Sequence, residues 1–344
     1  MNVKLLESLS NASGVAGNEG EIRKILKEEL KGYADEVLTD GLGSLIFHKK
    51  GNGPKIMLAA HMDEVGFLVR AISDYGMLTV MPLGGVKMTA RTNQEVIITT
   101  EDYKKYYGYL QSDIKEDGTA ANTYIDLGVD SKADVEALGI QPGDMAVFNS
   151  TFKNYPMHRY AGKALDDRTG VVTLVECMKH AHTDCDCWYC FTSSEEVGTR
   201  GGKTCAELIH PDAAVIVDVA CWHSELVRNH ENNRQLGKGP MLVLYDKTVI
   251  ANKAFVSLAR KSAQHVHVHL QDDMFSGGGT DAGNIGLSNG GTPTVTFGIP
   301  LRYCHTSYSI CDERDIDDCS KVISDLLENM NTEVLKKLRF QDEL

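Results

Sequence analysis

Residues 55–66 read KIMLAAHMDEVG. The apolar run Ile56–Ala60 has no polar alternation and stops abruptly at His61 and Asp63. Such a run fits a strand covered on both faces, as in a sheet packed between helix layers. The same texture recurs in GSLIFHK (43–49), CWYCFTSSEE (187–196), AAVIVDVA (213–220) and PTVTFGI (293–299). Helical spacing separates these runs. Ile22, Ile25, Leu26 and Leu30 follow the i, i+3, i+4 stripe, with Asn18 and Glu21 as a capping-box-like start. TGVVTLVECMKHAH (169–182) reads as helix, and so does the stretch from Asp312 to Leu338, with Ile316, Ile323, Leu327, Met330 and Leu338 on or near one stripe. Strands alternating with helices predict an α/β domain.

From about Val65 to Tyr160 the pattern changes to short β-like pieces, GFLVRAI, MLTVMPL, EVIITT and DMAVFNSTF, punctuated by glycine, proline and aspartate. That is how a small β-barrel or sandwich reads. The expected organisation is an α/β domain from residues 1–66 and 161–344, with a β domain, 67–160, inserted into it. There is no internal repeat and no low-complexity segment.

The chain has 344 residues and a formal net charge of −13. The acidic balance argues against a nucleic-acid partner, which needs a basic face. Its longest apolar runs fall far short of the ~20 residues of a spanning helix, so no membrane partner is expected. The first residues turn polar without an apolar core and small-residue cleavage site, which predicts a cytoplasmic protein. Nine cysteines, an odd number confined to Cys177–Cys319, predict free thiols in a reducing compartment rather than a disulfide framework.

Ionisable residues carry the chemical signal. His61 and Asp63 close one strand, Glu195 and Glu196 another, Asp218 ends AVIVD, and His305 follows PTVTFGIPLRYC; Asp166 and Asp167 precede a helix. Open α/β sheets place their ligand sites outside the carboxyl ends of strands. Any one of these carboxylates alone reads as a helix cap or a solvated turn; their recurrence at one kind of position points to a shared site. Asp166, Glu195, Glu196 and Asp218 at one sheet edge would crowd negative charge, forcing protonation unless cations balance it. Arg168, Arg200 and Lys203 could offset part of it. Two histidines with several carboxylates form an N/O donor set suited to zinc, manganese or cobalt. Two divalent ions would outweigh the charges of Asp166, Glu196 and Asp218 and acidify a bridging water.

The motifs HMDEVGF, GKALDDRTG, SSEEVGTRGG, VIVDVA, GGGTDAG and GIPLRYCHTS, in this order, resemble the M42 metallo-aminopeptidases over nearly the whole chain. The resemblance implies a mixed-sheet, zinc-exopeptidase-like catalytic domain with an inserted barrel-like domain for subunit contacts and gating. It implies two divalent ions per subunit, zinc first, with cobalt or manganese as alternatives. Asp166 would bridge the ions, His61 and Asp218 would complete one site, and Glu196 and His305 the other. Asp63 would hold the His61 imidazole. Glu195 would be the general base on the bridging water. The implied substrates are small peptides, and the implied assembly is a homo-oligomer of dimers building a dodecamer. Asp167 reads as a structural acceptor rather than a ligand.

Two stretches depart from the family's pattern. HTSYSI places Ser307, Tyr308 and Ser309 after the last histidine, which leaves the pocket shape open, and VDVACWHSE (217–225) resembles a less-characterised branch. Arg200, Lys203 and Arg302 either shape a pocket for acidic residues or pair with the site's own carboxylates. Rival readings are a glycoside hydrolase, which would use two carboxyls and leave the histidines idle, and a non-catalytic metal-binding assembly protein, which would have no need of Glu195.

Other signals read as structural. HVHVHL would set His265, His267 and His269 on one strand face. Cys187 and Cys190 would pack within a strand. The glycines at 277–279 would allow close backbone approach to the site. Cys304 beside His305 would be a thiol nucleophile only if that histidine were not a ligand.

Overall fold

The computed structural model describes residues 1–221, 234–275 and 277–343. Residues 222–225 of the VDVACWHSE stretch lie outside that range. The fold is mixed α/β, with one large mixed sheet and a closed barrel.

The sheet has eight strands. In spatial order they are Glu36–Thr39, Leu45–Lys49, Asp186–Thr192, Lys55–His61, Ala213–Cys221, Thr294–Leu301, Met241–Tyr245 and Gln271–Met274. The four central strands run parallel, so their carboxyl ends share one edge. In Lys55–His61 the side chains alternate between two cores, as a pleated strand requires. Ile56, Leu58 and Ala60 join the core that holds Leu174, Phe255, Ile323 and Leu326. Met57 and Ala59 join the opposite one with Cys205, Ala206, Ala282 and Ile285. Burial on both faces accounts for the unbroken apolar run; truncating Leu58 to Ala would cost about 2–5 kcal/mol.

The barrel is closed by Gly66–Ile72, Leu78–Leu83, Ala120–Asp126, Lys105–Ile114, Gln94–Thr99 and Met145–Phe148, in that order. Its interior takes every second residue, among them Phe67 and Val69, Val96 and Ile98, and Ala146 and Phe148. A three-stranded sheet of Lys153–Tyr155, Arg159–Gly162 and Ser309–Asp312 joins the chain leaving the barrel to the segment after His305.

Some local expectations are corrected. The helix near Asn18 runs Gly20–Glu29, starts from Glu19, and has no side-chain cap. Glu21 instead accepts from the Ser13 amide at 3.1 Å and pairs with Lys105 at 2.6 Å, so long-range partners take the carboxylate a capping box would use. The terminal helix is two, Glu313–Glu328 and Thr332–Leu338, because Asn331 turns its side chain to the amides of Glu333 and Val334 and starts a new helix. HVHVHL is no strand. His265 ends the helix Lys253–His265, and His267 has φ +57°, which breaks any alternation. Cys187 and Cys190 are buried in the strand Asp186–Thr192. Among the described residues no helix is long and apolar enough to cross a membrane.

Candidate functional site

The eight acidic and histidine residues His61, Asp63, Asp166, Asp167, Glu195, Glu196, Asp218 and His305 converge at the shared edge of the central strands. His61 ends its strand; Glu195 and Glu196 lie just past Thr192; Asp218 lies within Ala213–Cys221, three residues from its end. Asp166 and Asp167, joined by a cis peptide bond, open the long helix Leu165–His180 with non-helical backbone angles. His305 lies in the loop between Thr294–Leu301 and Ser309–Asp312.

Asp166 is the hub. Its Oδ1 lies 3.3 Å from His61 Nε2, and its Oδ2 lies 3.1 Å from His305 Nε2. Two triads of nitrogen and oxygen donors share it. In His61, Asp166 and Asp218, and again in Asp166, Glu196 and His305, the donor atoms lie within 4.8 Å of one another. Glu196 Oε1 is 3.3 Å from His305 Nε2, yet it is buried and no hydrogen bond reaches it. A buried carboxylate oxygen without a partner is costly unless a cation faces it. Both triads are therefore N/O sets that fit divalent ions such as zinc, manganese or cobalt.

The electrostatics agree. Burial opposes charge on His61, but hydrogen bonds to Asp166 and Asp63 and the charge of Glu195 hold its ring well above the usual histidine range. His305 is pushed up to about 11: burial acts against it, and Asp166 and Glu196 overcome that. Burial raises Asp218 to about 8, with the Asp166 charge adding to it, and raises Glu195 well above the usual carboxylate range. Protons gather where carboxylates outnumber cations. The arginine expected to help does not reach them. Arg168 donates to Leu9 O at 2.6 Å and approaches Glu64 at 3.7 Å, while Lys203 pairs along its own helix with Glu207 at 3.6 Å.

Asp63 does more than its position suggested. The partner of His61 Nδ1 is the Asp63 backbone carbonyl at 3.0 Å, with the carboxylate at 3.6 Å. That carboxylate instead accepts from the amides of Glu195, 3.0 Å, and Glu196, 3.1 Å, fixing both acidic residues where they leave the strand. Asp167 accepts from the amides of His61, 3.2 Å, and Gly170, 3.0 Å, as a structural acceptor does. Ala164, Ser194 and His305 all adopt positive φ, between 54° and 62°. For residues with side chains that geometry costs roughly 1–3 kcal/mol each and is held only by surrounding structure.

Several participants were missed from the sequence. Gly84 and Gly85, at the barrel's edge, touch the site. A Cβ on Gly85 would sit 2.8 Å from His305 Nδ1, and one on Gly84 2.9 Å from Glu196 Oε2. Gly85 O lies 3.2 Å from His305 Nδ1, and the Lys87 amide donates to His305 O at 2.9 Å. The barrel thus positions the last histidine. The glycines at 277–279 do not play that part, since a Cβ on Gly279 would meet Thr248 and those on Gly277 and Gly278 would meet nothing. Asp281, inside the quoted GGGTDAG motif, accepts from Thr192 at 2.6 Å and is raised by burial to about 6. Beneath the site, Lys163 and Glu64 form a fully buried ion pair at 2.7 Å.

The thiol expectation is corrected at two positions. Cys221 and Cys304 form a disulfide, and the other seven cysteines are free and buried. In the departing loop, Thr306 and Ser309 both bond to Tyr303 O, and Lys153 Nζ lies 4.8 Å from the Tyr308 ring centre.

Known proteins share this fold along nearly the whole chain. The TET aminopeptidase of a marine-sediment Thaumarchaeota archaeon superposes with a TM-score of 0.93 at 32% identity, covering 98% of each chain. The TET1 peptidase of Pyrococcus horikoshii, which can assemble into a tetrahedron or a large octahedral shell, superposes with a TM-score of 0.85 at 27% identity, covering 95% of this chain and 99% of that one. The fold is that of peptide-hydrolysing exopeptidases. In sequence, the lysyl aminopeptidase of Pyrococcus furiosus is 30% identical over 95% of this chain and 97% of its own. The glutamyl aminopeptidase of Lactococcus lactis subsp. cremoris is 30% identical over 97% and 98%. The family profile described as M42 glutamyl aminopeptidase matches residues 43–322, so the chain belongs to the M42 peptidases and is an aminopeptidase.

Proposed function

We propose that this aminopeptidase works with two divalent ions held by the paired triads. His61, Asp166 and Asp218 would hold one, and Asp166, Glu196 and His305 the other, zinc first, with cobalt or manganese as alternatives. The observation that carries the reading is Asp166, whose two oxygens each face a different histidine within 3.3 Å. Ions bound there would polarise the scissile carbonyl and lower the pKa of the attacking water.

The chain's own groups do the rest. Glu195 is the general base: it takes the attacking water's proton and hands it to the departing amine. Its carboxylate is buried and lies 4.0 Å from His61 Nε2, beside the proposed ion sites. Asp63 keeps Glu195 and Glu196 apart and aimed through their amides. Gly85 and Lys87 hold the His305 loop against the barrel.

Residues 67–160 are proposed as the domain for subunit contacts and gating of a homo-oligomer, with small peptides as substrates. Tyr75, Tyr103, Tyr107 and Tyr109 are exposed in that segment, as an apolar contact surface requires, and the TET1 peptidase of Pyrococcus horikoshii can assemble into shells.

The test is hydrolysis of a peptide panel, free and N-acetylated, by metal-stripped protein before and after adding zinc, cobalt or manganese. Metal-dependent release of single residues from free amino termini is expected. Two ions bound per chain with no release for any metal would overturn the mechanism.

A further inference from the structure

We propose that Cys221, Cys304 and Asp166 form a sulfur-bearing metal site that exists only when the Cys221–Cys304 disulfide is reduced. Cys221 ends the strand that carries Asp218, and Cys304 immediately precedes His305. Their Cα atoms are 5.9 Å apart although 83 residues separate them in sequence. Both sulfurs and an Asp166 oxygen lie within 4.8 Å of one another. The pair thus faces the hub of the site. The other seven cysteines are buried free thiols, and none of them belongs to a donor group among the described residues.

Reduction leaves the two cysteines facing each other, because the backbone at both is held without the S–S bond; the freed sulfurs need only swing apart by side-chain rotation to the wider spacing of two ligands on one ion. Cys221 is registered against Leu301 in the sheet. The loop bearing Cys304 is closed by Arg302 N to Ile310 O, 3.0 Å, and Ile310 N to Arg302 O, 3.1 Å, and tied to the barrel by Lys87 N to His305 O, 2.9 Å. The dithiol is therefore preorganised.

Interconversion is thiol–disulfide exchange with a low-molecular-weight disulfide. One cysteine sulfur attacks the small disulfide and expels one small thiol. The second cysteine sulfur then attacks the mixed disulfide and expels the other. Two electrons pass to the small molecule, the two cysteine protons end on its thiols or in solvent, and a small dithiol reverses the sequence. The oxidised centre offers only N/O donors. The reduced centre adds two sulfur donors, each losing its proton on coordination, and these select zinc and cadmium over manganese and cobalt. Asp166 belongs to all three donor sets, so an ion on the sulfurs draws on the carboxylate that the two proposed catalytic ions share. The inference rests on the di-metal reading through that residue alone.

The experiment is cadmium titration of the full chain, oxidised with glutathione disulfide or reduced with a phosphine, followed by bound cadmium per chain and ultraviolet thiolate-to-cadmium absorption. The reduced chain is expected to bind one cadmium more than the oxidised chain and to show the absorption. The C221S/C304S double variant is expected to lose both differences. Equal uptake and absorption in both redox states of the wild type would overturn the proposal without recourse to any variant, as would persistence of the reduction-dependent absorption in the double variant. Peptide hydrolysis by the oxidised, cobalt-loaded chain tests the peptidase mechanism separately, so either can fail alone.

Discussion

Lys163 offers a test of how the site is supported from below. Its side chain is 2% exposed, and Nζ donates to Glu64 Oε1 at 2.7 Å, Glu64 Oε2 at 2.9 Å and Ala12 O at 2.6 Å. Glu64 is equally buried; it also accepts from the Gly14 amide at 3.0 Å, and it follows Asp63, which orients Glu195 and Glu196. Lys163→Met keeps the apolar stem, so little cavity forms, but it leaves a carboxylate out of water without its main partner. Breaking a buried pair this way costs about 3–5 kcal/mol. Arg168 Nη2, 3.7 Å from Glu64 and without a hydrogen bond of its own, can close part of the gap, which places the expected loss near the lower end, about 3 kcal/mol. Glu64→Gln on top of Lys163→Met removes the stranded charge and keeps an acceptor for Gly14, so the double variant is expected to be more stable than Lys163→Met alone. Urea unfolding at one protein concentration and one metal loading measures wild type, Lys163→Met, Glu64→Gln and the double variant. A Lys163→Met midpoint within about 1 kcal/mol of wild type, or a double variant that merely adds the two single losses, would refute the reasoning.

Other outcomes follow from the same geometry. Glu195→Gln is expected to keep its metal content and lose activity by roughly 10²–10⁴-fold; near-normal turnover would remove Glu195 as the base. His61→Ala is expected to bind one ion fewer per chain by elemental analysis, and an unchanged ratio would contradict the ligand assignment. Burial raises Asp281 to about 6, Asp315 to about 7 and Asp218 to about 8. Unfolded aspartates release their protons near pH 4, so between about pH 4 and 8 the folded chain holds more protons than the unfolded one. The stability of metal-stripped protein should therefore fall as pH rises through that window. A melting temperature that climbs from pH 5 to 8 would show the sign to be wrong.

Much of the frame was legible because burial leaves a mark in composition. Strands covered on both faces must be apolar at every position, and Ile56–Ala60 and Ala213–Val217 are. The short β-like pieces between about Val65 and Tyr160 were equally visible. The catalytic candidates stood out because carboxylates and histidines closing such runs have no packing reason to be there. Local caps were less legible: Glu21 looks like a capping-box residue until Ser13 and Lys105 claim it.

By itself, then, the chain's order of residues determined the α/β class, a β-rich segment between its halves, and the recurrence of His61, Asp166, Glu195, Glu196, Asp218 and His305 at strand ends and a helix start; that the β segment closes as a barrel rather than a sandwich came with the structure. Only the tertiary structure decided how that constellation is held. Gly85 meets His305 across 220 residues, Asp63 reaches the amides of Glu195 and Glu196 across 132 and 133, and Cys221 meets Cys304 across 83. Contacts at such separations leave no periodic trace, because they depend on where sheet and barrel bring distant backbone together rather than on local spacing.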